Sequence, residues 1–216
     1  MKKKMLLSFL LSSSFVVMLI LQLSCANNEK KEMTREEMIK RGAYLVNLGG
    51  CNDCHSPKIM TQMGPIPDTT KLLSGHPEGE PLLPFDAKLV QPGRWYLSGA
   101  DLTSWVGPWG VSFPINLTPD GPTGTGNWTE EIFIKAMRTG KHLGVGRPIL
   151  PPMPWQAIGQ STDEDLRAIF VYLKSLPPVH NKVPDPVSPD HLTASKSFLI
   201  FYKCLYKQAF IYYHQH

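Results

Sequence analysis

The chain has only four cysteines in 216 residues, and none of them is left over to form a structural disulfide. Cys25 closes an apolar leader, Cys51 and Cys54 stand one helical turn apart, and Cys204 is alone in the tail. No second C-x-x-C pair follows, which leaves a structural zinc site two ligands short. No βαβ pattern surrounds the pair, so a thioredoxin-like dithiol lacks its scaffold. Net charge is also scarce. Three of the 22 Lys and Arg are Lys2, Lys3 and Lys4 of the leader, leaving 19 against 18 Asp and Glu. A nearly neutral remainder implies no nucleic-acid or anionic-membrane partner. No stretch reads as a strand, so the expected fold class is all-α.

What is present centres on Cys51-Asn52-Asp53-Cys54-His55. C-x-x-C-H is the attachment signature of c-type haem. Two thiols one turn apart reach the two vinyl groups of a single porphyrin, and the next histidine lies beneath the ring, where an imidazole nitrogen can bind iron. This chemistry sets the spacing and leaves the two intervening residues free. Cys51 and Cys54 are therefore the expected covalent haem attachment points, and His55 the expected axial ligand.

The leader runs from Met1-Lys2-Lys3-Lys4 through an apolar stretch, Met5 to Leu23. Basic residues before an apolar region mark an export signal. Ser8, Ser12, Ser13 and Ser14 interrupt the stretch and weaken a spanning helix. Leu21-Gln22-Leu23-Ser24-Cys25 resembles the lipobox of bacterial lipoproteins, with Gln22 where leucine is usual. The expectation is a lipoprotein-type signal over 1–25, acylation of Cys25, and a polar tether over 26–33. Cleavage after Ala26 and a retained anchor are the competing readings. Export suits the haem, because bacteria attach it outside the cytoplasm. The chain is thus expected on the periplasmic side of a bacterial membrane, held by lipid.

Three helices are expected around one pocket. The first covers 34–48, with Thr34 and Glu37 as a capping box and Met38, Ile39, Tyr44, Leu45 and Leu48 as its apolar residues. Gly42 inside it suggests another helix crossing closely. A second helix covers 129–139 and is closed by Gly140. The last starts after Ser161 and Thr162, carries Leu166, Ile169, Phe170, Leu173 and Leu176, and ends at Pro177-Pro178. Between them, residues 56–128 hold 11 prolines and 10 glycines in 73 positions, a composition typical of disorder. The same stretch carries Phe85, Trp95, Tyr96, Trp105, Trp109 and Phe113, which a disordered polar segment would lack. It is read as an ordered, irregular Pro/Gly-rich insertion packed over the pocket, with a short helix or turn near 99–106.

Electron transfer at a haem iron calls for a second axial ligand. Met153 in Pro151-Pro152-Met153-Pro154-Trp155 is the expected one, because flanking prolines stiffen the loop and lower the cost of holding a thioether at the iron. Met38 and Met137 read as packing residues, Met60 and Met63 as loop residues, His142 as a solvent-facing or capping residue, and His76 as a lone loop histidine.

The order capped helix, C-x-x-C-H, methionine loop and C-terminal helix resembles a class I c-type cytochrome domain. Arg41-Gly42-Ala43-Tyr44-Leu45-Val46, Asn116-Leu117-Thr118-Pro119-Asp120, Thr123-Gly124-Thr125-Gly126-Asn127-Trp128-Thr129 and Thr162-Asp163-Glu164-Asp165-Leu166 are similar to haem domains in cytochrome subunits of bacterial periplasmic dehydrogenases. The resemblance covers residues 34–186. It implies an all-α cytochrome c-like domain that carries electrons, and redox partner proteins (a dehydrogenase or respiratory complex). Those subunits often carry several C-x-x-C-H sites. The single site here implies one haem c and an electron carrier rather than an enzyme. The alternatives are a peroxidase-like haem enzyme with a labile sixth ligand, or a haem-bearing sensor or binding module. Residues 179–190 read as a Pro- and Asp-rich linker, and 187–216 as a poorly ordered extension.

Overall fold

The computed structural model describes residues 32–192. The leader with Cys25, the tether up to residue 31, and residues 193–216 with Cys204 lie outside the described residues. Every element below belongs to the compact unit that begins at Arg35. None of the described helices is long and apolar enough to cross a membrane.

Five α-helices are described: α1 (Arg35–Leu48), α2 (Cys51–His55), α3 (Glu130–Thr139), α4 (Trp155–Ile158) and α5 (Asp163–Ser175). Capping chemistry sets the starts of α3 and α5. The Thr129 hydroxyl accepts from the Ile132 amide and the Thr162 hydroxyl from the Asp165 amide, satisfying orphan donors of each first turn. Gly140, in the left-handed region, ends α3 and returns its amide to the Ala136 carbonyl.

The helices pack α1 and α3 onto α5 around Val46, Leu73, Phe133, Met137, Leu166, Phe170 and Leu173. At Gly42 the backbone of α5 passes so close that any Cβ would strike the Ala168 carbonyl and the Tyr172 side chain. The buried line of α1 is Gly42 and Val46, one turn apart. Tyr44 and Leu48, expected on the apolar face, are instead 55% and 67% exposed. Ion pairs stitch the acidic start of α5 to its neighbours: Arg41 to Asp165 at 2.9 Å and Arg138 to Asp163 at 2.5 Å. Both are partly exposed, so solvent screening keeps each contribution small.

The all-α expectation does not hold, because the insertion contains two small antiparallel sheets. One is a hairpin of β1 (Lys58–Thr61) and β2 (Gly64–Pro67), in register Ile59 to Ile66. The other has three strands in the order β3 (Leu97–Ser98), β4 (Trp105–Gly107) and β5 (Gly110–Ser112). Of the short helix or turn expected near 99–106, the structure has the turn, which leads into β4. These strands run two to four residues, too short to show an alternating pattern, and Pro65 and Pro67 sit within one of them. The fold is therefore mixed: a helical core, and a second small core of Val90, Val106 and Val111 beneath the three-stranded sheet.

The stretch 179–190 is not a free linker. The Asn181 side-chain amide donates to the Ser74 and His76 carbonyls at 2.6 and 2.8 Å, and its carbonyl accepts from the Glu78 amide. Val187 exchanges both backbone hydrogen bonds with Val111, and Leu192 packs on the second core. The chain runs so close to Gly110 there that a Cβ would strike the Val187 carbonyl, and Gly110 has a φ of 97°.

Candidate functional site

Cys51, Cys54, His55 and Met153 all line one pocket. Its other walls come from the insertion (Trp105, Phe113, Leu117), from Trp128, and from Phe133 and Met137 of α3. The lining is mostly apolar, as a flat hydrophobic ring requires.

Helix α2 presents the three motif residues. Gly50, at a φ of 63°, turns the chain from α1 into it. Beyond His55, the Ser56 hydroxyl donates to the Asn52 side chain at 2.8 Å and accepts from the Leu73 amide at 2.8 Å. The Lys58 ammonium donates to the Asn52 carbonyl at 3.1 Å, a cation at the negative end of the short helix. The Gly75 amide donates to the His55 carbonyl at 2.7 Å. Asn52, treated as unconstrained from the motif alone, thus helps to anchor the helix.

The His55 ring is buried, and its Nδ1 lies 2.8 Å from the Ile115 carbonyl. A carbonyl can only accept, so Nδ1 carries the proton and Nε2 keeps its lone pair. Burial pushes the imidazole below its ordinary pKa, and the Ile115 bond opposes this only in part. The result is a neutral imidazole with one nitrogen fixed for a metal, a tautomer set by a hydrogen bond outside the ligand set.

Cys51 and Cys54 are free thiols. Burial pushes both above the ordinary thiol range. A disulfide-exchange dithiol shows the opposite, a depressed nucleophilic thiol. Two protonated thiols, one imidazole nitrogen and one thioether in an apolar pocket form a donor set that fits covalent haem.

Met153 is half-buried and packs on the helical core from the loop between Ile149 and α4. Its loop is tied to the sheet: the Ser112 hydroxyl donates to the Pro151 carbonyl at 2.6 Å. The other candidates fall elsewhere. Met60 and Met63 are exposed on the β1–β2 hairpin, and Met38 is half-buried on α1, outside the pocket lining. Met137 is a core residue that also touches the pocket. His142 lines the pocket rather than facing solvent, with its ring edge-on to Trp128 at 5.2 Å. His76 is buried away from the pocket, with Nδ1 2.9 Å from the Thr103 hydroxyl. Together with Glu80 and Asp101 it forms a compact group of possible ligands. Both its nitrogens are already engaged, Nε2 lying 3.3 Å from the Glu80 carbonyl.

The motif from Asn116 to Trp128 proves to be a folded loop. The Asn116 side-chain amide donates to Val179 and Thr123, and its carbonyl accepts from the Thr118 amide and hydroxyl. The Asp120 carboxylate accepts from the Thr123 hydroxyl at 2.6 Å, which holds it below the usual carboxylate range. This network places Leu117, Thr125 and Trp128 on the pocket wall.

No family model matches the chain. It is similar to the cytochrome c subunit of a quinone alcohol dehydrogenase of Gluconobacter oxydans (strain 621H), 30% identical over 69% of this chain and 24% of that protein. It is also similar to the cytochrome c subunit of a gluconate 2-dehydrogenase of Pantoea cypripedii, 26% identical over 65% of this chain and 24% of that protein. The cytochrome subunit of a fructose dehydrogenase of Gluconobacter japonicus is 35% identical over 38% of this chain and 16% of that protein. The chain therefore spans about a quarter or less of the length of these relatives. The likeness is to cytochrome subunits, electron-transfer parts of dehydrogenases and not their catalytic subunits, and it supports a cytochrome c-like domain. A cytochrome c likeness implies haem c as the cofactor.

Proposed function

We propose that the chain is an exported, membrane-tethered, single-haem c-type cytochrome. It passes electrons between a periplasmic dehydrogenase or respiratory partner and a downstream acceptor. In this reading Cys51 and Cys54 would hold a haem covalently through two thioether links. His55 Nε2 and the Met153 sulfur would ligate its iron, and Cys25 would carry the lipid. Bound haem supplies one-electron redox chemistry. The protein holds the ring in an apolar pocket, which limits water; burial keeps His55 neutral, and the Ile115 carbonyl fixes its tautomer and orientation.

The observation that carries the reading is the His55–Ile115 bond beside two free thiols and Met153 in that pocket. Intact-mass measurement of the full chain, produced in a host that attaches haem and lipid, tests it. The expected result is one haem that survives denaturation, together with a diacylglycerol on Cys25. Loss of all haem on denaturation overturns the covalent site, and a bare N-terminus overturns the lipid tether separately.

A further inference from the structure

Ser112 lies at the end of β5 and is 7% exposed. Its hydroxyl has two partners. It accepts from the Trp109 indole N–H at 3.2 Å and donates to the Pro151 carbonyl at 2.6 Å. Pro151 is two residues before Met153, on the same stiff loop. Three residues after Ser112, the Ile115 carbonyl accepts from His55 Nδ1. One short segment, 112–115, therefore holds the proposed histidine ligand by a main-chain carbonyl and the proposed methionine loop by a side-chain hydroxyl. The segment is itself fixed, because β5 pairs with β4 on one side and Val111 with Val187 on the other.

We propose that Ser112 is a positioning residue for Met153. Through the Pro151 carbonyl it clamps the methionine loop against the sheet and keeps the sulfur at the iron. The proposal rests on the reading of Met153 as axial ligand. Trp109 orients the clamp: with its N–H pointing at the Ser112 oxygen, the hydroxyl proton is left for Pro151. Prolines restrict the loop's internal freedom, but they do not fix where the loop sits as a body. A hydrogen bond at 2.6 Å to the Pro151 carbonyl does.

The test compares parent, Ser112→Ala, Ser112→Thr, Trp109→Phe and Met153→Ala, each as haem-loaded full chain. The readouts are carbon monoxide binding to the reduced protein, the near-infrared sulfur-to-iron band of the oxidised protein, and the melting temperature. Losing one neutral hydrogen bond raises the fraction of iron with methionine dissociated by about two- to tenfold. Ser112→Ala is expected to show that rise and a weakened sulfur band. Ser112→Thr, which keeps the hydroxyl, is expected to match the parent. Trp109→Phe should move the same way as Ser112→Ala by a smaller factor, and it stands in if Ser112→Ala does not fold. Carbon monoxide binding in Ser112→Ala at the parent's rate, with Met153→Ala binding fast, overturns the clamp and leaves the Met153 reading intact. Equal perturbation by Ser112→Ala and Ser112→Thr also overturns it, since packing rather than the hydroxyl would then matter. Parent-like behaviour of Met153→Ala removes the ligand reading and the proposal with it.

Discussion

Ser56 shows how much of the site depends on residues that the attachment motif does not specify. Its hydroxyl is the partner found for the buried Leu73 amide, and it also reaches back to Asn52 inside the motif helix. Removing it strands a buried donor, which costs about 1–3 kcal/mol. Ser56→Ala is expected to lower the urea midpoint by that equivalent while haem remains attached, since neither thiol is touched. An unchanged midpoint would mean that the Leu73 amide finds another partner. At this scale the sequence exposes ligand atoms well and their supports poorly. Cys51, Cys54 and His55 stand out as candidates by the motif spacing and Met153 by its flanking prolines, and the structure brings all four to one pocket. Ile115 and Ser112 do not stand out, because one acts through a main-chain carbonyl 60 residues from His55 and the other through a hydroxyl 39 residues from Pro151. Any residue offers a carbonyl, and serine is common in turns.

At the scale of elements, helices announce themselves and the sheets do not. Thr129 and Thr162 mark the starts of α3 and α5 by a side-chain acceptor that a first turn needs, and Gly140 marks an end. The strands of the insertion are too short and too rich in proline and glycine to show a period, and their pairing partners are set by turns. The aromatic content correctly pointed to order there, but an irregular covering was expected where two paired sheets stand. Gly42 is the element-level residue whose role was visible from sequence, since a glycine inside a helix suggests a close crossing. The crossing leaves no room for a methyl group beside Ala168 and Tyr172. Gly42→Ala is expected to destabilise the α1–α5 pair by about 1–3 kcal/mol, although alanine is the better helix former. Thermal unfolding measures it, and a rise in melting temperature would show that α1 can shift away from α5 without loss.

Across the whole molecule, two cores share one pocket between them. The helical core supplies Phe133 and Met137 to the lining and carries Met153 against it, while the sheet-bearing insertion brings Trp105, Ser112 and Phe113 to the same lining. A covalently held ring with both axial positions filled has no vacancy for peroxide or another small ligand, which separates a carrier from a haem enzyme. The direct test is rapid mixing of the reduced, haem-loaded full chain with carbon monoxide over a range of concentrations at neutral pH. The carrier account predicts slow binding at a rate set by methionine leaving the iron, and so independent of carbon monoxide at high concentration. Fast binding whose rate rises in proportion to carbon monoxide would show an open iron and contradict it.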